Sequence, residues 1–363
     1  MDYRLITGAL ALTLTAAANA QFTGNDIYVN TLNFGGSAAR TNLGNVATVQ
    51  RFNQTTNAFD QQFNTGVINS GTATSEGALL FDPTSATLWL AGYSSVSASG
   101  SVTSTTSASN PRVAAQLLAN GTVNKFTTAT DYSGNNIRSA VGIGADVYTS
   151  GGVGGSRMYT PSGTALGTGT QSSSATNTRH AAFYDGLLYS STASGTAGIF
   201  AGNSPTPLVT STSPYQFRFL GAGLQTLYVA DDSAATNPLS GISKYLKDGS
   251  GTYVLQGTYK LPGLTTGTTT SARYFALQNN LVNGVNVTTI VAATTEDSGT
   301  IPNRLVSFLD DNSFAAPTAY TTLATAGTNE VFRGVEAVPE PASMAIIGVG
   351  LVSLFARRRR NAK

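Results

Sequence analysis

Six charged residues recur at one place in this sequence. Glu76, Arg138, Arg179, Arg218, Arg273 and Arg333 each open a short apolar run: EGALLF, RSAVGI, RHAAFY, RFLGAG, RYFALQ and RGVEAV. Charged residues make up only 10% of the chain, so their return to one position is informative. The planar fork of arginine donates to two oxygens at once and suits carboxylates. Gathered around one axis, five arginines and a glutamate would make either of two things. One is a structural set of ion pairs and Arg-to-carbonyl hydrogen bonds. The other is an anion site for an acidic sugar. The sequence leaves both open.

Other chemistry is sparse. The chain has one histidine, His180, which any Ser/His/Asp triad would have to use. It sits beside Arg179 inside a repeated apolar run, where a packing role is expected. There is no cysteine, which excludes disulfides, thiolate metal sites and cysteine nucleophiles. The stretch GIGADVYTSGGVGGS (142–156) is glycine-rich but lacks a full GxGxxG, and no long helix pattern follows it. It reads as turns and not as a dinucleotide site. Paired acids at Asp231-Asp232, Glu296-Asp297 and Asp310-Asp311 each follow a predicted strand. They lack the alternating ligand spacing of a calcium loop and read as solvated turns. No catalytic residue, metal site or cofactor is expected.

The elements that would position the charged residues repeat. An aromatic or apolar run ending in small or polar residues appears as IYVNT (27–31), LWLAG (88–92), VYTSG (147–151), LYSST (188–192), LYVAD (227–231) and TIVAA (289–293). Each is followed by a second apolar run and turn residues suited to hairpins. Each except IYVNT is preceded by one of the charge-led runs. The run missing before IYVNT is found at the far end, as RGVEAV (333–338). Units of about four short antiparallel strands predict an all-β six-bladed β-propeller, its first blade completed by both ends of the chain. A seven-bladed ring or a β-sandwich is the alternative. In the propeller the charge-led strands are innermost, and the six charges ring one mouth of a central channel. The tracts 94–110, 162–178 and 264–271, rich in Ser, Thr and Gly, carry little apolar surface and are expected as surface loops or ragged outer strands.

Composition agrees. With 39 Gly, 15 Tyr and 16 Phe, the chain has the residues for tight turns and packed strands. The net charge of +2 comes from the ends: residues 21–338 hold 14 Lys+Arg and 16 Asp+Glu, a balance of −2. No nucleic-acid-binding face is indicated. At the start, an apolar run from Leu5 to Ala17 precedes Ala18-Asn19-Ala20, the small-x-small pattern read by signal peptidase, with Gln21 next. At the other end, the 15 uncharged residues 342–356 are followed by Arg357, Arg358, Arg359 and Arg360. As a helix that stretch spans about 22 Å, short of a bilayer core of about 30 Å, although the arginines can snorkel to the interface. The positive-inside rule keeps them cytoplasmic and the body outside the inner membrane.

Pro339-Glu340-Pro341, an apolar segment and a terminal arginine cluster, in that order, resemble a PEP-CTERM sorting signal. The resemblance covers about 25 residues. It implies that Pro339, Glu340 and Pro341 are read by exosortase, a membrane-embedded cysteine-dependent enzyme, and that the tail is removed. It also implies an exported protein of a Gram-negative bacterium, of the kind associated with exopolysaccharide and biofilm matrix. The expected organisation is a signal peptide at 1–20, an exported body at 21–338, and a sorting signal at 339–363 whose transmembrane helix anchors the chain until processing. The expected function is a non-enzymatic surface or matrix protein that binds acidic polysaccharide. The alternative is a carbohydrate-active or other hydrolytic propeller.

Overall fold

The computed structural model describes residues 22, 26–34, 42–263, 269–282, 285–296, 302–314 and 320–338, with strand bounds given also across 279–286. Ala18, Ala20, Gln21, Asp297, the Pro-Glu-Pro tripeptide, the 342–356 segment and the four arginines after it lie outside the described residues. Among the described residues, no helix is long and apolar enough to cross a membrane.

The body is all-β. Strands β1 (Ile27–Asn33), β2 (Asn45–Asn53) and β3 (Ala58–Asn69) begin the first sheet. The second contains β4 (Leu79–Asp82), β5 (Thr87–Tyr93), β6 (Arg112–Leu117) and β7 (Val123–Thr128). The third has β8 (Ile137–Ile143), β9 (Asp146–Gly151), β10 (Arg157–Tyr159) and β11 (Thr170–Gln171). The fourth has β12 (His180–Tyr184), β13 (Leu187–Thr192), β14 (Gly198–Ala201) and β15 (Val209–Thr210). The fifth has β16 (Pro214–Leu220), β17 (Thr226–Asp231), β18 (Gly241–Lys247) and β19 (Tyr253–Tyr259). A ribbon of β20 (Leu261–Pro262) and β21 (Thr269–Thr270) leads to the sixth: β22 (Ala272–Val282), β23 (Val285–Thr294), β24 (Arg304–Leu309) and β25 (Thr321–Thr325). The last strand, β26 (Glu330–Ala337), returns to pair antiparallel with β1, Ile27 opposite Ala337 and Val29 opposite Val335. It completes the first sheet from the other end of the sequence. Among the described residues, the first and second sheets share one strand pairing, Ile68 with Tyr93.

The recurring aromatic runs are the second strands of their quartets, in β1, β5, β9, β13, β17 and β23. Alternate residues of these strands, such as Ile27 and Val29, Leu227 and Val229, or Val291 and Ala293, enter the largest core cluster, since successive residues of a strand face opposite ways. The first strands meet side by side: β26 touches β4, β4 touches β8, and the contacts continue through β12, β16 and β22 back to β26. Backbone bonds carry part of this order, as where the Gly334 amide donates to the Gly77 carbonyl at 2.9 Å. The largest core cluster includes Leu80, Val141, Ala182, Phe217, Tyr274 and Val335, one from each first strand.

The low-complexity tract 94–110 is a largely exposed loop between β5 and β6, as expected, with a buried anchor. Residues 94–110 enclose a single 3-10 turn, Val102–Ser104, whose Val102 is fully buried against Ile68 and Tyr93. Buried Arg112 holds the tract in place by donating to the carbonyls of Thr105 at 2.7 Å, Asn110 at 2.8 Å and Asn135 at 2.7 Å. A single apolar anchor and an arginine bonded to backbone oxygens replace the missing apolar surface. The tract 162–178 includes the short outer strand β11, and the 264–271 tract contributes β21, its first five residues being outside those described.

Candidate functional site

The charged positions sit at irregularities of the first strands. The pairing register shifts between Ile137 and Ser139, between Ala272 and Tyr274, and where β26 passes from Phe332 to Val335. Arg138, Arg273 and Arg333 fall in those shifts. An extra residue in one strand breaks the in-out alternation and re-aims its side chain. Arg179 lies immediately before β12, with its amide bonded to the Ser191 carbonyl at 2.8 Å.

These residues share one end of the sheets. Arg179 Nη1 donates to Ser213 Oγ at 2.8 Å and lies 3.7 Å from Asp232 Oδ1. Arg273 Nε donates to the other oxygen of the same carboxylate at 2.8 Å. One aspartate thus serves arginines from two sheets. Both guanidinium groups also lie over the Tyr215 ring, at 4.2 Å for Arg179 and 5.7 Å for Arg273. Arg138 Nη1 donates to Asn177 Oδ1 at 2.6 Å and to the Thr178 carbonyl at 3.0 Å. Burial and then repulsion from Arg179 lower its affinity for a proton, while Glu76 opposes this. Buried Arg333 donates from Nη2 to the Gly71 carbonyl at 3.0 Å.

Glu76 precedes β4 and is completely buried. Its carboxyl accepts from Tyr93 Oη at 2.6 Å and from the Ser70 amide at 2.7 Å. Burial pushes its pKa up to about 7, against the pull of these two donors, Arg333 and Arg138. Tyr274 Oη donates to the carbonyls of Thr74 at 3.1 Å and Glu76 at 3.0 Å, and Thr74 Oγ1 is 3.2 Å from Tyr215 Oη. The 70–76 segment is thereby fastened to the fifth and sixth sheets.

Arg218 does not join this group. It is the fifth residue of β16 and pairs with Glu336 of β26, whose other bond at this oxygen comes from the Phe81 amide at 3.0 Å. Register places Tyr215 at the corresponding site of the fifth sheet, where pairing shifts between Pro214 and Phe217. The end therefore carries Glu76, Arg138, Arg179, Tyr215, Arg273 and Arg333. Tyr215, Tyr93, Ser213 and Asn177 were not legible as members, because each is brought in by a neighbouring sheet.

The remaining candidates have local duties. His180 is buried in β12, edge-on to Phe217 at a centroid distance of 5.2 Å, and burial holds it well below its usual pKa. Asp231 accepts from Ser211 Oγ at 2.5 Å, the Ser213 amide at 2.8 Å and the Ser233 amide at 2.9 Å. Glu296 accepts from Arg304 Nε at 3.0 Å. Asp310 accepts from Lys244 Nζ at 2.6 Å and Tyr228 Oη at 2.5 Å, and Asp311 from the Ser313 amide at 2.9 Å. No group of three or more His, Cys, Asp or Glu fit to hold a metal occurs among the described residues. The glycine-rich 142–156 stretch supplies the turns on either side of β9.

The profile of the PEP-CTERM protein-sorting motif matches residues 337–360. The tail marks an exported chain addressed to exosortase. No curated protein matches the sequence. Among solved structures, apo AztD from Citrobacter koseri aligns at 8% identity and TM-score 0.36, covering 86% of this chain and 98% of that one. The computationally designed Ika8 protein aligns at 11% identity and TM-score 0.36, covering 80% of this chain and 89% of that one. The matched motif begins within the folded body: Ala337 is paired with Ile27, and the Val338 amide donates to the Asp26 carbonyl at 3.3 Å.

Proposed function

We propose that this chain is a non-enzymatic, exported binding protein whose body, residues 21–338, is a six-bladed β-propeller. The signal peptide 1–20 is removed on export. The tail 339–363 holds the chain in the inner membrane until exosortase releases it to the cell surface or matrix of a Gram-negative bacterium. Six antiparallel quartets whose first strands touch in a cycle support the ring, and the pairing of β26 with β1 supports its closure by the two ends of the chain.

The ligand is an acidic, uronate-containing polysaccharide held at the arginine end. The observation that carries this reading is a shared partner. Arg179 and Arg273, from two sheets, divide one carboxylate, that of Asp232, and lie over one tyrosine ring. Arg179 and Arg273 remain partly exposed, with side-chain accessibilities of 22% and 16%, so a carboxylate can approach them from outside.

Binding of the exported protein to polygalacturonate tests this. Affinity should fall as salt rises, because the attraction is screened. Replacing both Arg179 and Arg273 with Ala should weaken it about tenfold or more while the protein melts as a folded body. Unchanged binding by the folded double variant, or equal binding to a neutral glucan, overturns the reading.

A further inference from the structure

We propose that the end of the body opposite the arginines is the face presented to exosortase while the tail is removed, which leaves the arginine end pointing away from the enzyme and open to ligand. This rests on the sorting signal and on the ring of first strands. The first strands run in one direction. Arg138 and Arg273 are second in β8 and β22, and Arg179 immediately precedes β12. On β26 and its neighbour, Gly334 bonds to Gly77 and Glu336 to Phe81, so both chains advance together away from the arginine end. The carboxyl end of β26 is therefore at the far end. A seven-residue strand such as β8 rises about 23 Å, which sets the distance between the two ends.

The exit point leaves little slack. Val338 is 3% exposed and tied to Asp26, and Pro339 follows it directly. The Pro-Glu-Pro tripeptide can extend no more than about 11 Å from Val338 at ~3.6 Å per residue. An enzyme that reads the tripeptide must come up against the body at that end.

The far end is suited to close approach. Its tight turns between first and second strands are the exposed residues Pro83–Ala86, Gly144–Ala145, Asp185–Gly186 and Gly221–Gly223. They are small, and Asp185 is the one charge among them. The opposite end carries the 94–110 tract, the 232–240 connection and the arginines. Cleavage upstream of Val338 would take residues out of β26, so the processed chain keeps residue 338.

A photo-cross-linking residue placed at Thr84, Ala222, Ser99 or Thr196, all exposed, tests the orientation in the full chain in a host with exosortase. Thr84 and Ala222 should yield exosortase adducts before processing, at least several-fold above Ser99 and Thr196 at the arginine end. Equal yields, adducts from Ser99 or Thr196 alone, or lipid adducts without exosortase at Thr84 and Ala222 overturn it. A mature carboxyl terminus upstream of 338 by intact mass overturns it as well. A tail never removed in such a host fails the sorting reading itself, and this inference with it; normal processing with the wrong cross-links fails this inference alone.

Discussion

The middle of the first strands and their arginine end both hold charge, but they balance it differently. In the middle, Arg218 of β16 meets Glu336 of β26, one cation to one carboxylate, and both side chains are nearly inaccessible at 13% and 7%. At the end, Arg179 and Arg273 divide the one carboxylate of Asp232 and share a tyrosine face, while Arg138 and Arg333 donate to carbonyls. A matched buried pair is closed to ligands and acts on the fold. A partly exposed group that shares its carboxylate acts on what comes near. Position in the repeat does not distinguish the two; the count of partners does.

The largest effect should come from breaking the matched pair. Glu336→Gln leaves the Arg218 cation buried beside a neutral amide, and removing one partner of a buried pair costs about 3–5 kcal/mol. Arg179→Ala, at the partly exposed end, should cost no more than about 1 kcal/mol. Chemical denaturation of the two variants measures both. Replacing Arg218 and Glu336 together by Met and Leu should recover most of the loss, since an apolar pair of similar volume avoids desolvation. Equal destabilisation by Glu336→Gln and Arg179→Ala would erase the distinction.

This contrast also marks what the sequence could and could not convey. The second strands were legible because period-two patterning and an aromatic survive within five residues, as in LYVAD and VYTSG. The shared first sheet was legible because one charge-led run was missing at the start and one was left over at the end. Arg218 misled because it stands nine residues before LYVAD, as Arg138 stands nine before VYTSG and Arg179 nine before LYSST. In the fold, five residues lie between Leu220 and Thr226 at that hairpin, where two lie between Ile143 and Asp146 and between Tyr184 and Leu187. The longer turn moves Arg218 inward and brings Tyr215 to the arginine end. The ordering of 94–110 was illegible for another reason: Arg112 and Val102 act through residues distant in sequence, such as Asn135 and Ile68.

A second test uses His180, which lies near Arg218. Its ring is buried, neither nitrogen has a hydrogen-bond partner, and burial followed by repulsion from Arg218 lowers its pKa well below the usual value. The charged groups facing it are Arg218 and, through that pair, Glu336. The unfolded chain takes up the proton near pH 6.5 and the folded chain does not. The contribution to stability is complete above that pH and is lost as pH falls, by about 1.4 kcal/mol per unit. His180→Phe should match the parent at pH 7.5 and exceed it increasingly as pH falls below 6.5. Parallel stability curves for the two proteins would show that this histidine is already protonated, or partnered, in the fold.

The smallest effect belongs to the arginine end, where Glu76 makes the charge balance adjustable. Its pKa rises from 4.5 to about 7 on folding, chiefly through burial. The folded chain therefore holds this proton between pH 4.5 and 7 when the unfolded chain does not. The stability linked to it is complete below pH 4.5 and is lost as pH rises to 7, opposite in sign to His180. Binding follows the same proton. Below pH 7 Glu76 is mostly neutral and adds no negative charge beside the arginines. Above it, a second negative charge competes with any anion drawn there. Affinity for polygalacturonate, whose carboxylates are ionised throughout this range, should rise a few-fold from pH 8 to pH 6, a change under about 1 kcal/mol because Glu76 acts through space across partly hydrated groups. Glu76→Gln should bind equally at both pH values, at the level of the parent at pH 6. A pH response that survives in Glu76→Gln would assign the proton to another group. A flat response in the parent would mean that the arginines reach the ligand unaffected by the carboxyl beneath them.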